Sequence, residues 1–285
     1  MENGGLSNLR LRTGLGKYLP KRIKEIIKHK QTDIYIISYP KCGRTWLRIL
    51  IGKYISDLYK LDLENEQLTE IQNFKRINSN IPKFNITHEG NPHLQNLEDV
   101  KINFKKYESK KGVFLCRDPK AVAVSFYYQF MYRGDKEHSK NHNFNGNIDQ
   151  FVMNEVGGIK SIVNYYNLWA SFLKKSNHNF ITIRYEDLKK SNEETLELLL
   201  NHLKVPVQRN VLLNSILFGN AENLKSLEKE GKLNHKRFGG IDEKTQKVRL
   251  KNNSSWEDEL KDTTIDYLKS YTDTYLDEYF EELYN

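Results

Sequence analysis

Residues Asp33–Trp46 read DIYIISYPKCGRTW, and the reading of this stretch decides the fold. Its first six residues form a short run rich in β-branched and aromatic side chains, the composition of a strand buried on both faces. A turn holding Pro40 and Gly43 follows. From Arg44 to Tyr59 the apolar residues Leu47, Leu50, Ile51, Tyr54, Ile55 and Leu58 then recur at helical spacing. A strand running through a glycine-containing turn into a helix makes an anion site, because backbone N–H groups and the positive end of the helix dipole point the same way. Lys41 would aim an ammonium at the bound anion, and Thr45 adds a hydroxyl in the first helical turn. The spacing GxxxxGK[ST] of a Walker A loop is absent, and a Pro-Lys-x-Gly turn taken alone also suits a solvated lysine.

Working outward, Gly112–Cys116 (GVFLC) and Phe180–Ile183 (FITI) repeat the buried-strand composition, and Lys83–Thr87 (KFNIT) gives a shorter fourth run. Helical patterns between the runs suit the crossover connections of a parallel sheet. Ser191 and Glu194 form a capping box ahead of TLELLLNHL. Asp262–Leu283 reads as a terminal helix, and the polar stretch Arg133–Asn147 as a loop or lid. The expected fold class is α/β: one domain over residues 1–285, a central parallel sheet flanked by helices. A basic segment over 1–31 precedes the sheet, and within it Leu9–Lys30 suits a basic surface helix or a presequence.

A chain of 285 residues with 38% hydrophobic residues is long enough to bury a substantial core. The net charge of +8 favours a polyanionic partner such as nucleic acid, an anionic membrane or a phosphorylated cofactor, and equally suits a surface kept basic for solubility. Cys42 and Cys116 are the only cysteines, too few for a disulfide framework, so a reducing compartment is expected. No stretch has the length and apolarity of a signal peptide core or a bilayer span, which points to a cytoplasmic protein without a membrane anchor.

Each strand runs directly into polar or cationic residues: Tyr39-Pro40-Lys41 after the first, Arg117-Asp118-Pro119 after GVFLC, and Arg184-Tyr185-Glu186-Asp187 after FITI. Ligands of open parallel sheets bind beyond the carboxyl ends of the strands, so three segments deliver cations and hydroxyls to one edge.

At these residues a family resemblance becomes specific. YPKCGRTW resembles the 5′-phosphosulfate loop of the sulfotransferases that use 3′-phosphoadenosine 5′-phosphosulfate (PAPS), commonly (Y/F)-P-K-S-G-T-T-W. RDPKAVAVSFYYQF is similar to their 3′-phosphate motif, and RYEDL to the segment that places a tyrosine near the nucleotide. ITHEG resembles the strand end that holds their catalytic base. The resemblance runs from about Ile34 to Trp256 and implies a P-loop-like sulfotransferase fold. It implies PAPS as donor, 3′-phosphoadenosine 5′-phosphate (PAP) as product, no metal, and a small-molecule acceptor. It also implies that Lys41, Cys42, Gly43, Arg44, Thr45 and Trp46 line the donor with Arg117, Ser125 and Tyr185, and that Lys41, His88 and Ser125 serve catalysis.

Departures from the pattern are specific too. Cys42 stands for a serine and Arg44 for a threonine. In the C-terminal nucleotide segment Arg249 and Trp256 keep the spacing, while Lys251 and Ser254 hold the glycine positions, so Arg249 alone carries over. Ala221 takes the place of the aromatic that meets adenine, leaving Phe218 as its substitute. The C-terminal dimer motif of many animal members is missing after Trp256, and the oligomeric state stays open.

Sulfuryl transfer is an in-line displacement in which charge grows on the bridging oxygen of the leaving phosphate. A cation at Lys41 meets that charge, and an imidazole at His88 takes the acceptor's proton. Arg117 offers a bidentate fork and Ser125 a hydrogen bond to the 3′-phosphate. His93, five residues on in a Gly/Pro-containing stretch that suits a mobile loop, is the rival base. Tyr127, Tyr128 and Phe130 suit either an acceptor pocket or the core. Glu89, Asp135 and Glu137 would suit a polar or cationic acceptor carrying a hydroxyl or amine. The main alternative is a nucleotide-dependent phosphotransferase, which would need carboxylates to hold Mg²⁺; no Walker B-like run supplies them. A non-catalytic binding module and a nucleic-acid binder are the other two, the last motivated by charge alone.

Overall fold

The computed structural model describes residues 20–133, 139–176, 179–233, 238 and 255–284. In chain order its main elements are α1 (Lys21–Gln31), β1 (Ile34–Ser38), α2 (Arg44–Leu58), β2 (Phe84–Thr87), β3 (Lys111–Cys116), α3 (Pro119–Tyr132), α4 (Ile148–Val152) and α5 (Ile159–Leu173). Then come β4 (Phe180–Arg184), α6 (Tyr185–Lys190), α7 (Asn192–His202), α8 (Arg209–Phe218), α9 (Ala221–Lys229), α10 (Asp262–Tyr275) and α11 (Glu278–Glu281).

The four strands form one sheet in the order β2-β1-β3-β4, with every neighbouring pair parallel. Each strand begins and ends within a residue of the run its sequence marks out. All five residues of β1 are buried, and so is β3 apart from its first residue, as expected for strands covered on both faces. One face is aromatic. Phe114 lies within 5.4 Å of Trp169 and 5.7 Å of Tyr166, ring centre to ring centre, and Tyr35 meets Tyr107 edge-on at 4.9 Å. Tyr165, Tyr166 and Trp169 all come from α5, so this helix seals that face with rings that each remove ~150–250 Å² from water. Gly112 has no alternative there, since a Cβ at this position would lie 2.1 Å from the Phe180 ring. Elsewhere α7 packs on β4 and α8, and α8 runs along α2.

Helix α2 starts directly after Gly43, whose φ of 85° is open to glycine at little cost. It buries Leu47, Leu50, Ile51, Tyr54 and Ile55 and stops in a Schellman turn, with Lys60 at φ 51° and the Leu61 N–H bonded to the Ser56 carbonyl at 2.8 Å.

Two expectations need correction, and a third is met over part of its length. The Ser191 capping box does not form: no side-chain cap bonds α7, and the Ser191 N–H is held by the Asp187 carbonyl at 2.8 Å as the end of α6. The C-terminal helix is broken in two at Leu276–Asp277, where Asp277 caps α11 through the Tyr279 N–H and pairs with Lys174 at 2.8 Å. The basic helix begins at Lys21, after Pro20; the earlier part of Leu9–Lys30 lies outside the described residues. Among the described residues no helix is long and apolar enough to cross a membrane.

Candidate active site

Because all four strands are parallel, all four carboxyl ends lie on one edge of the sheet. The chain leaves β1 toward β2 and leaves β3 toward β4, so the topological switch point falls between β1 and β3, where ligands of such sheets bind. The Lys41 turn and Arg117 flank that crevice.

The two sides of the crevice are bonded together. Arg117 Nη1 donates to the Lys41 carbonyl at 3.3 Å, and its guanidinium sits 4.7 Å from the centre of the Tyr185 ring. Tyr185 in turn packs on Gly43, where a Cβ would come within 2.4 Å of the ring, and meets Trp46 edge-on at 5.7 Å. Gly43 is therefore required twice, for its left-handed backbone and for the close approach of Tyr185. Lys41 also has a positive φ, 70°, so the turn is bent at both residues. The first turn of α2 carries no acidic residue and Gly43 at its N-cap offers no side-chain cap, so the turn presents the positive end of the helix dipole. Trp46 Nε1 donates to the Gly219 carbonyl at 2.7 Å, and Phe218 shares its apolar cluster, so the substitute aromatic does come to the Trp46 side of the site.

Cys42 contributes backbone alone. Its side chain is fully buried, with Sγ 3.4 Å from the Tyr166 hydroxyl, and desolvation pushes the thiol up to about 12. Cys116 is likewise buried and shifted upward, which leaves both as neutral packing groups. Sequence reasoning missed Tyr166. Its hydroxyl accepts from the Arg117 N–H at 3.0 Å and donates to the Arg117 carbonyl at 2.9 Å, clasping the β3 turn beside the β1 turn. Nothing in the sequence around α5 separates this tyrosine from its core neighbours.

Ser125 lies on α3, which starts at Pro119 behind the Asp118 cap. It is half-buried on the same stripe as Ala121 and Tyr128. That helix meets the segment at 256–259: the Lys120 ammonium lies 6.0 Å from the Trp256 ring, and Tyr128 bonds to Glu259. Arg249 itself, with Asp135 and Glu137, lies outside the described residues. Phe130 is core, packed 4.9 Å from Phe151.

At the end of β2, His88 Nδ1 lies 2.7 Å from the Ser38 carbonyl, which ties the ring to the last residue of β1. A carbonyl only accepts, so Nδ1 carries the proton and the neutral ring keeps its lone pair on Nε2. His93 is not on a mobile loop. It sits on a single turn at Pro92–Leu94, 7% exposed, with its ring between those of Tyr39, Phe126 and His88 at 5.4–6.1 Å. The turn is fixed by a relay in which the Tyr39 hydroxyl donates to Ser161 at 3.0 Å and Ser161 donates to the Pro92 carbonyl at 2.9 Å. Burial, aided by the charge of Arg44, lowers His93 to about 3. The Glu89 carboxylate is paired with Lys106, which offsets the negative charge that would have suited a cationic acceptor.

A parallel sheet that presents a basic phosphate loop at its switch point defines an anion-binding α/β protein. The chain belongs to the sulfotransferase family, whose "Sulfotransferase domain" matches residues 31–281. Among curated relatives it is 22% identical to mouse sulfotransferase 2B1 over 205 residues, 70% of this chain and 58% of that protein. It is 24% identical to cytosolic sulfotransferase 12 of Arabidopsis thaliana over 231 residues, 76% of this chain and 69% of that protein. The chain thus spans little more than half the length of the mouse relative. The fold is similar to that of mouse sulfotransferase SULT7A1 complexed with PAP, with a TM-score of 0.56 at 19% identity, covering 85% of this chain and 84% of that one.

Proposed function

We propose that the chain transfers the sulfuryl group of PAPS to a hydroxyl or amine of a small molecule. The observation that carries this reading is the Arg117–Lys41–Tyr185–Gly43 contact set in the β1/β3 crevice, with His88 bonded to the end of the neighbouring strand. The residues present fit a bisphosphorylated nucleotide: a basic uncapped helix start for one phosphate, a guanidinium for the other, and Trp46 and Tyr185 as flat neighbours for the base. The donor supplies an activated sulfuryl group whose leaving group is a phosphate.

Lys41 stabilises the charge that develops as that phosphate departs, an interaction stronger in the transition state than in the ground state. Arg117, already braced on Tyr185 and on the Lys41 carbonyl, holds the 3′-phosphate with Ser125 and takes no part in the bond exchange. His88 Nε2 takes the proton of the attacking hydroxyl or amine, while its Nδ1–H stays bonded to Ser38 and keeps the ring in the basic tautomer. In the polar stretch that the sequence reads as a loop or lid, the Lys140 N–H bonds to the Leu94 carbonyl at 2.9 Å, beside the His93 turn. The family match over most of the chain and the relative named as cytosolic support one domain working in the cytoplasm.

The test is turnover of PAPS with a panel of phenols, alcohols and amines in the presence of EDTA. Sulfated product and PAP should form at an unchanged rate, with tight inhibition by PAP. Activity that is lost on chelation and restored by Mg²⁺, or phosphate transfer from ATP in its place, overturns the reading in favour of a phosphotransferase.

A further inference from the structure

At the opposite end of β2 from His88 lies an open cavity of about 450 Å³, bounded by α1, the start of α2 and the segment leading into β2. Its lining includes Lys24, Lys28, Arg48, Arg76 and Lys83 and contains no carboxylate. We propose that this cavity binds a small molecule carrying two or more phosphate or sulfate groups. The volume is that of a small-molecule site, and Ile27 and Phe84 give it an apolar wall for the body of such a ligand.

Two of the cations, Arg48 and Lys83, are held in place by the fold. Arg48 is 4% exposed, its Nε donates to the Thr69 carbonyl at 2.5 Å, and its Nη2 reaches Gln72 at 2.8 Å. Lys83 Nζ donates to the Gln72 carbonyl at 2.5 Å, so Gln72 gathers both from two directions. Two carboxylates stand outside the lining. Glu70 is 3.7 Å from Arg48, and Asp33 is 2.6 Å from Lys75, which itself lies outside the lining. Glu70 pairs with Arg48 and Asp33 accepts from the Lys83 N–H at 2.7 Å, so five positive groups face two carboxylates and the charge of the hollow stays positive. Lys83 is lowered from its ordinary value by burial and then by the charges of Arg76, Lys28 and Lys75, against which Asp33 acts weakly. Cations pressed together in a concave, partly desolvated space repel one another, and a multivalent anion reverses the sign of that interaction. A long nucleic acid would need a stripe along the surface, whereas these groups converge on one hollow.

The probe is inorganic tripolyphosphate, titrated calorimetrically into the wild-type chain at low and at raised salt. Two double variants follow, Lys28→Glu with Arg76→Glu in the cavity and Lys41→Ala with Arg117→Ala at the strand ends. Binding should persist in the strand-end variant, weaken with salt, and weaken roughly tenfold or more in the cavity variant. Lys28 and Arg76 are both exposed, and the milder pair Lys28→Gln with Arg76→Gln should show the same loss if the charge reversal perturbs folding. Absent wild-type binding, an unaffected cavity variant, or a loss confined to the strand-end variant each overturns the proposal. A single-stranded oligonucleotide that binds this face more tightly than tripolyphosphate assigns it to a polyanionic chain instead and also overturns it. Sulfuryl transfer is read separately, so the two proposals fail independently.

Discussion

The β1/β3 crevice and the end of β2 are built by different means. In the crevice every important group is clamped from outside: Tyr166 holds both backbone atoms of Arg117, Arg117 holds the Lys41 carbonyl, and Tyr185 lies on Gly43. At the end of β2 two histidine rings stand 5.5 Å apart, one buried and the other bonded to the Ser38 carbonyl. On the proposed function, the contrast lets one edge of a sheet divide its labour. Holding a polyanion needs fixed cations and fixed N–H groups, so rigidity serves it. Taking a proton needs an imidazole that reaches both the acceptor and solvent, so the more exposed ring of a packed pair is the one suited to the work.

The largest effect should come at that pair. His88→Ala should reduce transfer ~10²–10⁴-fold, the range of a lost general base, while PAP affinity measured by calorimetry stays close to wild type. His93→Phe should keep most of the activity, because its ring fills a slot against Tyr39 and Phe126 and faces no solvent. Reversed outcomes would move the base by five residues. Undiminished activity in both variants would mean that the acceptor reaches the site already deprotonated.

On the crevice side, Lys41→Ala should lower kcat by ~10²–10³ and change donor binding less, because the charge it meets is largest in the transition state. Equal losses in kcat and donor affinity would make Lys41 a binding group. A smaller effect belongs to Arg117→Ala, which should raise the KM for PAPS. It should also remove ~1.5–3 kcal/mol of preference for donors that carry the 3′-phosphate. Retained preference in that variant would move the 3′-phosphate site off Arg117. Together the three variants test the division: chemistry lost at His88 and Lys41, recognition lost at Arg117.

Most of this edge was legible in the sequence because it depends on local order. The strands are short β-branched runs, and the turn that follows each one is adjacent in the chain, so YPKCGRTW and RDP could be placed before any contact was known. What escaped depends on separation. Tyr166 lies 49 residues from Arg117 and 124 from Cys42, and in the pattern of α5 it is one more buried aromatic. The burial of Cys42 follows from the same helix pressing on the turn. Ser191 does precede a helix, but the capping box its letters suggest does not form, because the same residue, at φ −132° and ψ 62°, also closes α6. His93 looked mobile because Gly90 and Pro92 signal a turn, yet Ser161, 69 residues further along, fixes that turn through the Pro92 carbonyl.

The last prediction uses that burial against itself. His93 is lowered to about 3, with desolvation the larger cause and the Arg44 charge the smaller, and its Nδ1 is buried with no hydrogen-bond partner. In the unfolded chain a histidine titrates near 6.5. Between those values the unfolded state binds the proton and the folded state does not, so this group leaves stability unchanged above pH 6.5 and subtracts from it as the pH falls toward 3. The slope is at most about 1.4 kcal/mol per pH unit, which accumulates to roughly 2 kcal/mol between neutrality and pH 5. Urea unfolding at pH 7 and pH 5 should therefore show wild type losing more stability than His93→Phe, by about that amount. His29 and His202, also lowered by burial, titrate alike in both proteins and cancel in the difference. Equal losses would mean that the folded protein accepts a proton at His93. The ring would then reach solvent when it is protonated, and the distinction between the two histidines, on which the assignment of the base rests, would weaken with it.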